Sequence, residues 1–108
     1  MIETNLYVGL NDATTKHQEH DTKEYVDVMK YVCKSYHVPF SFIISEGGYF
    51  HENGEYTQEK TLILSLIDAD KEVADAIAKD LCTFFHQESV LMTEREVKAY
   101  HVKDGLGI

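Results

Sequence analysis

Proline occurs once in this 108-residue chain and cysteine twice, and no apolar run approaches the roughly 20 residues that a membrane-spanning helix needs. With no low-complexity tract and no internal repeat, the sequence predicts one soluble domain over residues 1–102, followed by a flexible tail at 103–108. Basic residues are scarce. Ten Lys and Arg stand against nineteen Asp and Glu, a formal net charge of −9 that repels phosphate backbones and argues against nucleic-acid binding. The opening MIETNLYVGL lacks a basic segment followed by an apolar stretch, so a cytoplasmic location is expected, and two cysteines agree with it. Also missing are a Ser-His-Asp order, a Cys-His pairing, a nucleotide fingerprint and a P-loop. No motif therefore names a reaction, and no cofactor is expected.

What the chain does contain is a long hairpin, FSFIISEGGYFHENGEYTQEKTLILSLI, from Phe40 to Ile67. Asn53-Gly54 is a two-residue turn signal, since both central positions of a type I′ turn need positive φ. Closed on that turn, the strands would place Leu62, Leu64 and Leu66 on the face opposite to Phe40, Phe42 and Ile44. One extra residue in the first strand, supplied as a β-bulge at Gly47-Gly48, brings Phe42 opposite Leu64 and Ile44 opposite Leu62. A phosphate-cradling role for the two glycines is the weaker reading, because no helix start follows them.

Around the hairpin, Leu6, Val8 and Leu10 alternate as in a strand with one buried face. Asp21 with Glu24 resembles a capping box ahead of a helix carrying Tyr25, Val28, Met29, Val32 and Tyr36. Asp70 starts a second helix whose apolar stripe is Val73, Ile77, Leu81, Phe84 and Phe85. Val90 to Met92 and Val97 to Val102 read as strand-like, with a bend or bulge at Glu94, Arg95 and Glu96. The order strand, helix, strand, strand, helix, strand is the ferredoxin-like α+β pattern: a four-stranded antiparallel sheet with both helices on one face, in strand order 4-1-3-2. In antiparallel helices Cys33 and Cys82 lie about 10 Å or more apart. A disulfide needs Cα atoms within about 7 Å, so two free thiols are expected.

The segments LYVGL, EGGYFHENGEYTQEK with LILSL, and above all FFHQESVL resemble a family of small bacterial proteins known only as a domain of unknown function. The similarity runs from about Leu6 to Val102, and its most specific piece is Phe85 to Leu91. It implies a ferredoxin-like fold and supplies no activity. Many members carry a secretory leader that this chain lacks, so their compartment does not transfer.

Candidate functional residues are few. His17 and His20 in HQEHD have a spacing compatible with a divalent metal ion, but no third ligand is identifiable, and a solvated loop is the simpler reading. Gln87, Glu88 and Ser89 sit at a helix-to-strand junction, where polar side chains can line a cleft at the end of a sheet or simply terminate the helix. Glu59 and Lys60 form either a surface pair or a ligand clamp. Tyr100 and His101 alternate in the expected last strand, one pointing in and one out.

With both helices on one face, the other face holds Tyr7, Ile43, Ile63 and Ile67, with Tyr100 or His101, among Ser41 and Ser65. That mixture is too apolar for plain solvent and predicts self-association through the sheet, as in a homodimer. Three functions fit. The leading one is a non-catalytic module binding a small ligand or a basic protein. A second is a cofactor-independent enzyme of the dimeric α+β barrel type, by analogy of fold alone. The third is a phage-type inhibitor that sequesters a host protein or a signalling nucleotide.

Overall fold

A computed structural model describes residues 1–105. The element order is β1 (Ile2–Gly9), α1 (Thr22–Ser35), β2 (Ser41–Phe50), β3 (Tyr56–Ile67), α2 (Lys71–Phe84) and β4 (Leu91–Glu96). The sheet is antiparallel with strand order β2-β3-β1-β4, the ferredoxin-like arrangement expected from the sequence. Leu6, Val8 and Leu10 from the β1 segment and Leu62, Leu64 and Leu66 from β3 are fully buried. Tyr25, Met29, Val32 and Cys33 of α1, and Ala74, Ile77 and Leu81 of α2, close over them. Each such aliphatic side chain taken from water contributes about 1.5–3 kcal/mol, so this one face holds most of the apolar burial. Of the two phenylalanines expected in the buried stripe of α2, Phe85 is buried and Phe84 points to solvent.

Both helices end in the same way. Val38 N–H reaches back to Cys33 O and Gln87 N–H to Cys82 O, with His37 and His86 at φ 55° and 52° between helix and exit. This is the left-handed helix stop, made here by histidines in place of the usual glycine. Asp21 and Asp70 stand at the N-cap positions, but neither side chain bonds to a helix amide, so the capping box does not form.

The hairpin differs from expectation in an instructive way. Phe42 does pair with Leu64 and Ile44 with Leu62, yet Gly47 pairs with Glu59 and Gly48 with Gln58 in unbroken register. There is no bulge at the glycines. The extra residue lies in the turn: His51 N–H bonds to Glu55 O, Gly54 N–H bonds to His51 O, and Gly54 alone takes positive φ, at 87°. A three-residue loop thus corrects the register that a type I′ turn would have spoiled. Gly48 leaves space for the Tyr56 ring, which lies where its Cβ would be, while an added Cβ at Gly47 meets nothing within 4 Å.

The last strand also departs from expectation. Glu94, Arg95 and Glu96 form no bend; they pair with Thr4, Glu3 and Ile2. Arg95 binds the Glu3 carboxylate at 2.8 Å, and Lys71 lies 3.6 Å from Glu94, charges suited to an exposed edge strand. After Val97 N–H bonds to Met1 O the ladder has used up β1. Residues 97–102 consequently form no strand. The expected tail falls partly on residues 106–108, which lie outside the described residues.

Candidate functional site

Strand parity decides which side chains reach the face away from the helices. Tyr7, Ile43, Ile63 and Ile67 lie there as expected, joined by Leu91; Ile43 is 61 % exposed and Leu91 62 %. Farther along the hairpin the same parity places Tyr49, His51, Thr57 and Glu59 on this face. Two other segments come up against them: the loop that leaves β1, at Asn11 to Lys16, and the α2–β4 junction at Gln87, Glu88 and Ser89. Together they enclose an open cleft of about 560 Å³.

Glu59 is the best-defined group in that cleft. Its carboxylate rests on Gly9, where a Cβ would come within 2.6 Å of Oε2 and 2.8 Å of Oε1. Only glycine permits this seat without displacing the acid. Oε2 accepts a hydrogen bond from Asn11 N–H at 3.0 Å, and Oε1 has no hydrogen-bond partner among the described residues. The charge is therefore held in place and left half-satisfied. Lys60 is the next residue along the strand and points to the opposite face, so Glu59 and Lys60 do not form a clamp.

Asp12 is a different kind of acid. It accepts hydrogen bonds from Thr14 N–H at 2.8 Å, Thr15 N–H at 3.0 Å and His86 Nδ1 at 2.7 Å. The His86 ring foremost, then the Thr15 amide, hold its carboxyl down at about 2. Asp12 anchors the loop and has little capacity left for a ligand. Ala13 N–H to His86 O, at 2.9 Å, and Gln87 Nε2 to Asn11 O, at 2.6 Å, complete the attachment of the loop to the end of α2.

The opposite wall is aromatic. The Tyr49 and His51 rings meet edge to face at 5.0 Å, and His51 Nε2 is hydrogen-bonded to Thr57 Oγ1 at 2.7 Å. An exposed ring pair beside a carboxylate offers a planar surface and a cation site in one place. Among the described residues, Asp12, Glu55, Glu59 and Glu88 line the cleft against a single lysine, Lys16.

Of the residues singled out from sequence, Gln87, Glu88 and Ser89 line the cleft, and Tyr7, Ile43 and Ile63 lie on the apolar part of the same face. Tyr100 and His101 belong to neither. They follow the last strand and are exposed, Tyr100 to 77 %, because β1 has no residues left to pair with them. His17 and His20 are exposed as well; His20 Nδ1 lies 3.1 Å from Glu24, and its ring meets Tyr25. Cys33 is buried and its thiol is pushed up to about 11 by that burial; neither it nor Cys82 is in a disulfide. Sequence reasoning missed Tyr49, His51 and Asn11, although extending the hairpin's alternation past Gly48 would have found the first two.

Among the described residues no helix is long and apolar enough to cross a membrane. The sequence matches no family profile and no curated protein. Solved structures do resemble it. A phage SAM lyase in complex with S-methyl-5′-thioadenosine superposes with a TM-score of 0.67 at 24 % identity, covering 88 % of this chain and 80 % of that one. The apo phage SAM lyase gives 0.67 at 23 %, over 87 % and 78 %. CutA1 from Pyrococcus horikoshii OT3 gives 0.57 at 12 %, over 94 % and 87 %. At these identities the likeness shows a shared fold: this chain is a ferredoxin-like α+β protein, as those structures are.

Proposed function

We propose that the cleft binds S-adenosylmethionine or a close sulfonium nucleoside and cleaves it to S-methyl-5′-thioadenosine. The observation that carries this reading is the Glu59 carboxylate, seated on Gly9 with one oxygen unpartnered among the described residues, beside the Tyr49–His51 ring pair. Its chemistry matches the ligand: a purine for the rings, worth about 1–3 kcal/mol by stacking, and cationic groups for the acid. A phage SAM lyase of the same fold, bound to the expected product, supports it. The ligand is a metabolite of the cytoplasm, consistent with the location expected from sequence.

The position of the acid on the ligand follows from where charge is lost. Formation of the thioether breaks the bond between sulfur and the aminobutyrate chain, the electron pair stays on sulfur, and the sulfonium charge vanishes. A carboxylate against sulfur would favour the reactant over the transition state. Glu59 therefore serves best on the α-ammonium, which stays charged throughout. A lyase adds no water, so either the chain's own carboxylate oxygen bonds to the carbon that sulfur leaves, or a β-proton passes to solvent as a carbon–carbon double bond forms; both routes balance. No metal or cofactor is called for.

Incubation with S-adenosylmethionine followed by mass spectrometry separates the readings. Release of S-methyl-5′-thioadenosine, lost in Glu59→Gln, supports the lyase. Retention of intact ligand, again dependent on Glu59, would leave the non-catalytic binding module or sequestering inhibitor in its place. Absence of binding would overturn the assignment. For the apolar part of the face, with Ile43, Ile67 and Leu91 exposed, the reading is self-association. Light scattering at micromolar concentration should give a multiple of 12.4 kDa, and a monomer mass would refute it.

A further inference from the structure

The side chain of Gln87 reaches the cleft but spends its amide on the protein. Nε2 donates to Asn11 O at 2.6 Å and lies 3.4 Å from Phe85 O. Its own backbone is fixed, because Gln87 N–H bonds to Cys82 O at 2.9 Å and Gln87 O accepts from Cys82 Sγ at 3.0 Å. The donor is thus mounted on the end of α2, an element packed into the core.

Asn11 stands where β1 leaves the sheet. The preceding amide, Leu10 N–H, still bonds to Lys60 O in β3, but beyond it strand pairing with β3 ceases. The two backbone groups of Asn11 that a continuing strand would have given to a neighbour are taken by side chains: N–H by Glu59 and C=O by Gln87. Asn11 Nδ2 adds a longer bond to Gln58 O at 3.4 Å. One residue therefore joins the cleft's half-satisfied carboxylate to an amide anchored on the opposite element.

The geometry points to Gln87 as a positioning residue that aims the Glu59 carboxylate through the backbone of Asn11. This rests on the reading of Glu59 as the ligand's anchor. Asp12 with His86, and Ala13 N–H with His86 O, attach the loop to α2 without Gln87. Loss of the Gln87 donor should consequently loosen Asn11 and Glu59 while the loop stays docked.

Two measurements test this, one of which needs no ligand. In the free protein, Gln87→Met, close in shape but without the donor, should raise amide hydrogen exchange at Asn11 by about fivefold or more, roughly what a single neutral hydrogen bond carries. Leu10 and Ala13 should be unaffected. Unchanged exchange at Asn11, or equal loss at all three, would overturn the proposal; should Gln87→Met not fold, Gln87→Glu removes the same donor and is read in the same way. The second measurement is a double-mutant cycle on S-adenosylmethionine affinity. Gln87→Met alone should weaken binding by about fivefold and should add less than about twofold in the Glu59→Gln background. Additive losses would mean that Gln87 acts on the ligand or on the fold directly and would refute positioning. If Glu59→Gln binds as the wild type does, the functional reading fails, and the exchange result still decides the role of Gln87.

Discussion

Gly9 has room for a hydrogen and nothing larger beneath the Glu59 carboxylate. Its backbone is extended, so Gly9→Ala should fold, costing no more than about 1 kcal/mol, yet it should reduce S-adenosylmethionine affinity about tenfold or more by lifting the acid from its seat. Equal affinity in a titration of Gly9→Ala would separate the seat from function. Asp12 gives a second residue-level prediction. Its folded-state pKa of about 2 lies below the unfolded value, set first by His86 and then by the Thr15 amide. It therefore stabilises the fold in full above about pH 4, and that stabilisation fades as pH falls toward about 2. In acid titrations followed by circular dichroism, Asp12→Asn should be less stable than the wild type at pH 6, and the gap should close by pH 2; a constant gap would remove the ionised Asp12 from the account. The sequence left Gln87, Glu88 and Ser89 between a cleft and a helix end, and both hold: Gln87 N–H closes α2 on Cys82 O while the three side chains line the cleft. The place of Tyr100 and His101 was not legible, since the end of β4 is set by the first residue of its partner β1, a pairing that local alternation does not reveal.

At the scale of elements, the order and faces of the sheet follow from alternation and helical spacing, and the pairing of Phe42 with Leu64 follows from the need to bury both on one side. The device that sets this register was not legible. A bulge at Gly47-Gly48 and a three-residue turn closed by Gly54 leave the apolar strands in the same register, and only the positions of the backbone hydrogen bonds distinguish them. The difference can be measured. Gly47→Ala should change stability by less than about 0.5 kcal/mol, since its Cβ meets nothing and the strand is regular there. Gly54→Ala should cost about 1 kcal/mol or more, because φ of 87° is strained for any residue with a Cβ. Urea unfolding of both variants checks this, and a larger loss at Gly47 would restore the bulge. The helices show a related limit: left-handed stops at His37 and His86 take the place of the usual glycine, so α2 ends where its sequence carries no glycine signal.

For the whole molecule, the radius of gyration is 16.1 Å, against about 13 Å for an ordinary domain of this length. The distal half of the hairpin is largely exposed and carries the aromatic wall of the cleft. The net charge of −9 favours a cationic ligand over long range and should make its capture weaken as salt rises. Whether Glu59 on Gly9 anchors such a ligand is decided by calorimetric titration of S-adenosylmethionine into the wild type and Glu59→Gln. The wild type should bind, and the variant should bind at least about tenfold more weakly, the scale of one charge-assisted contact; equal affinity in the two proteins would rule the anchor out.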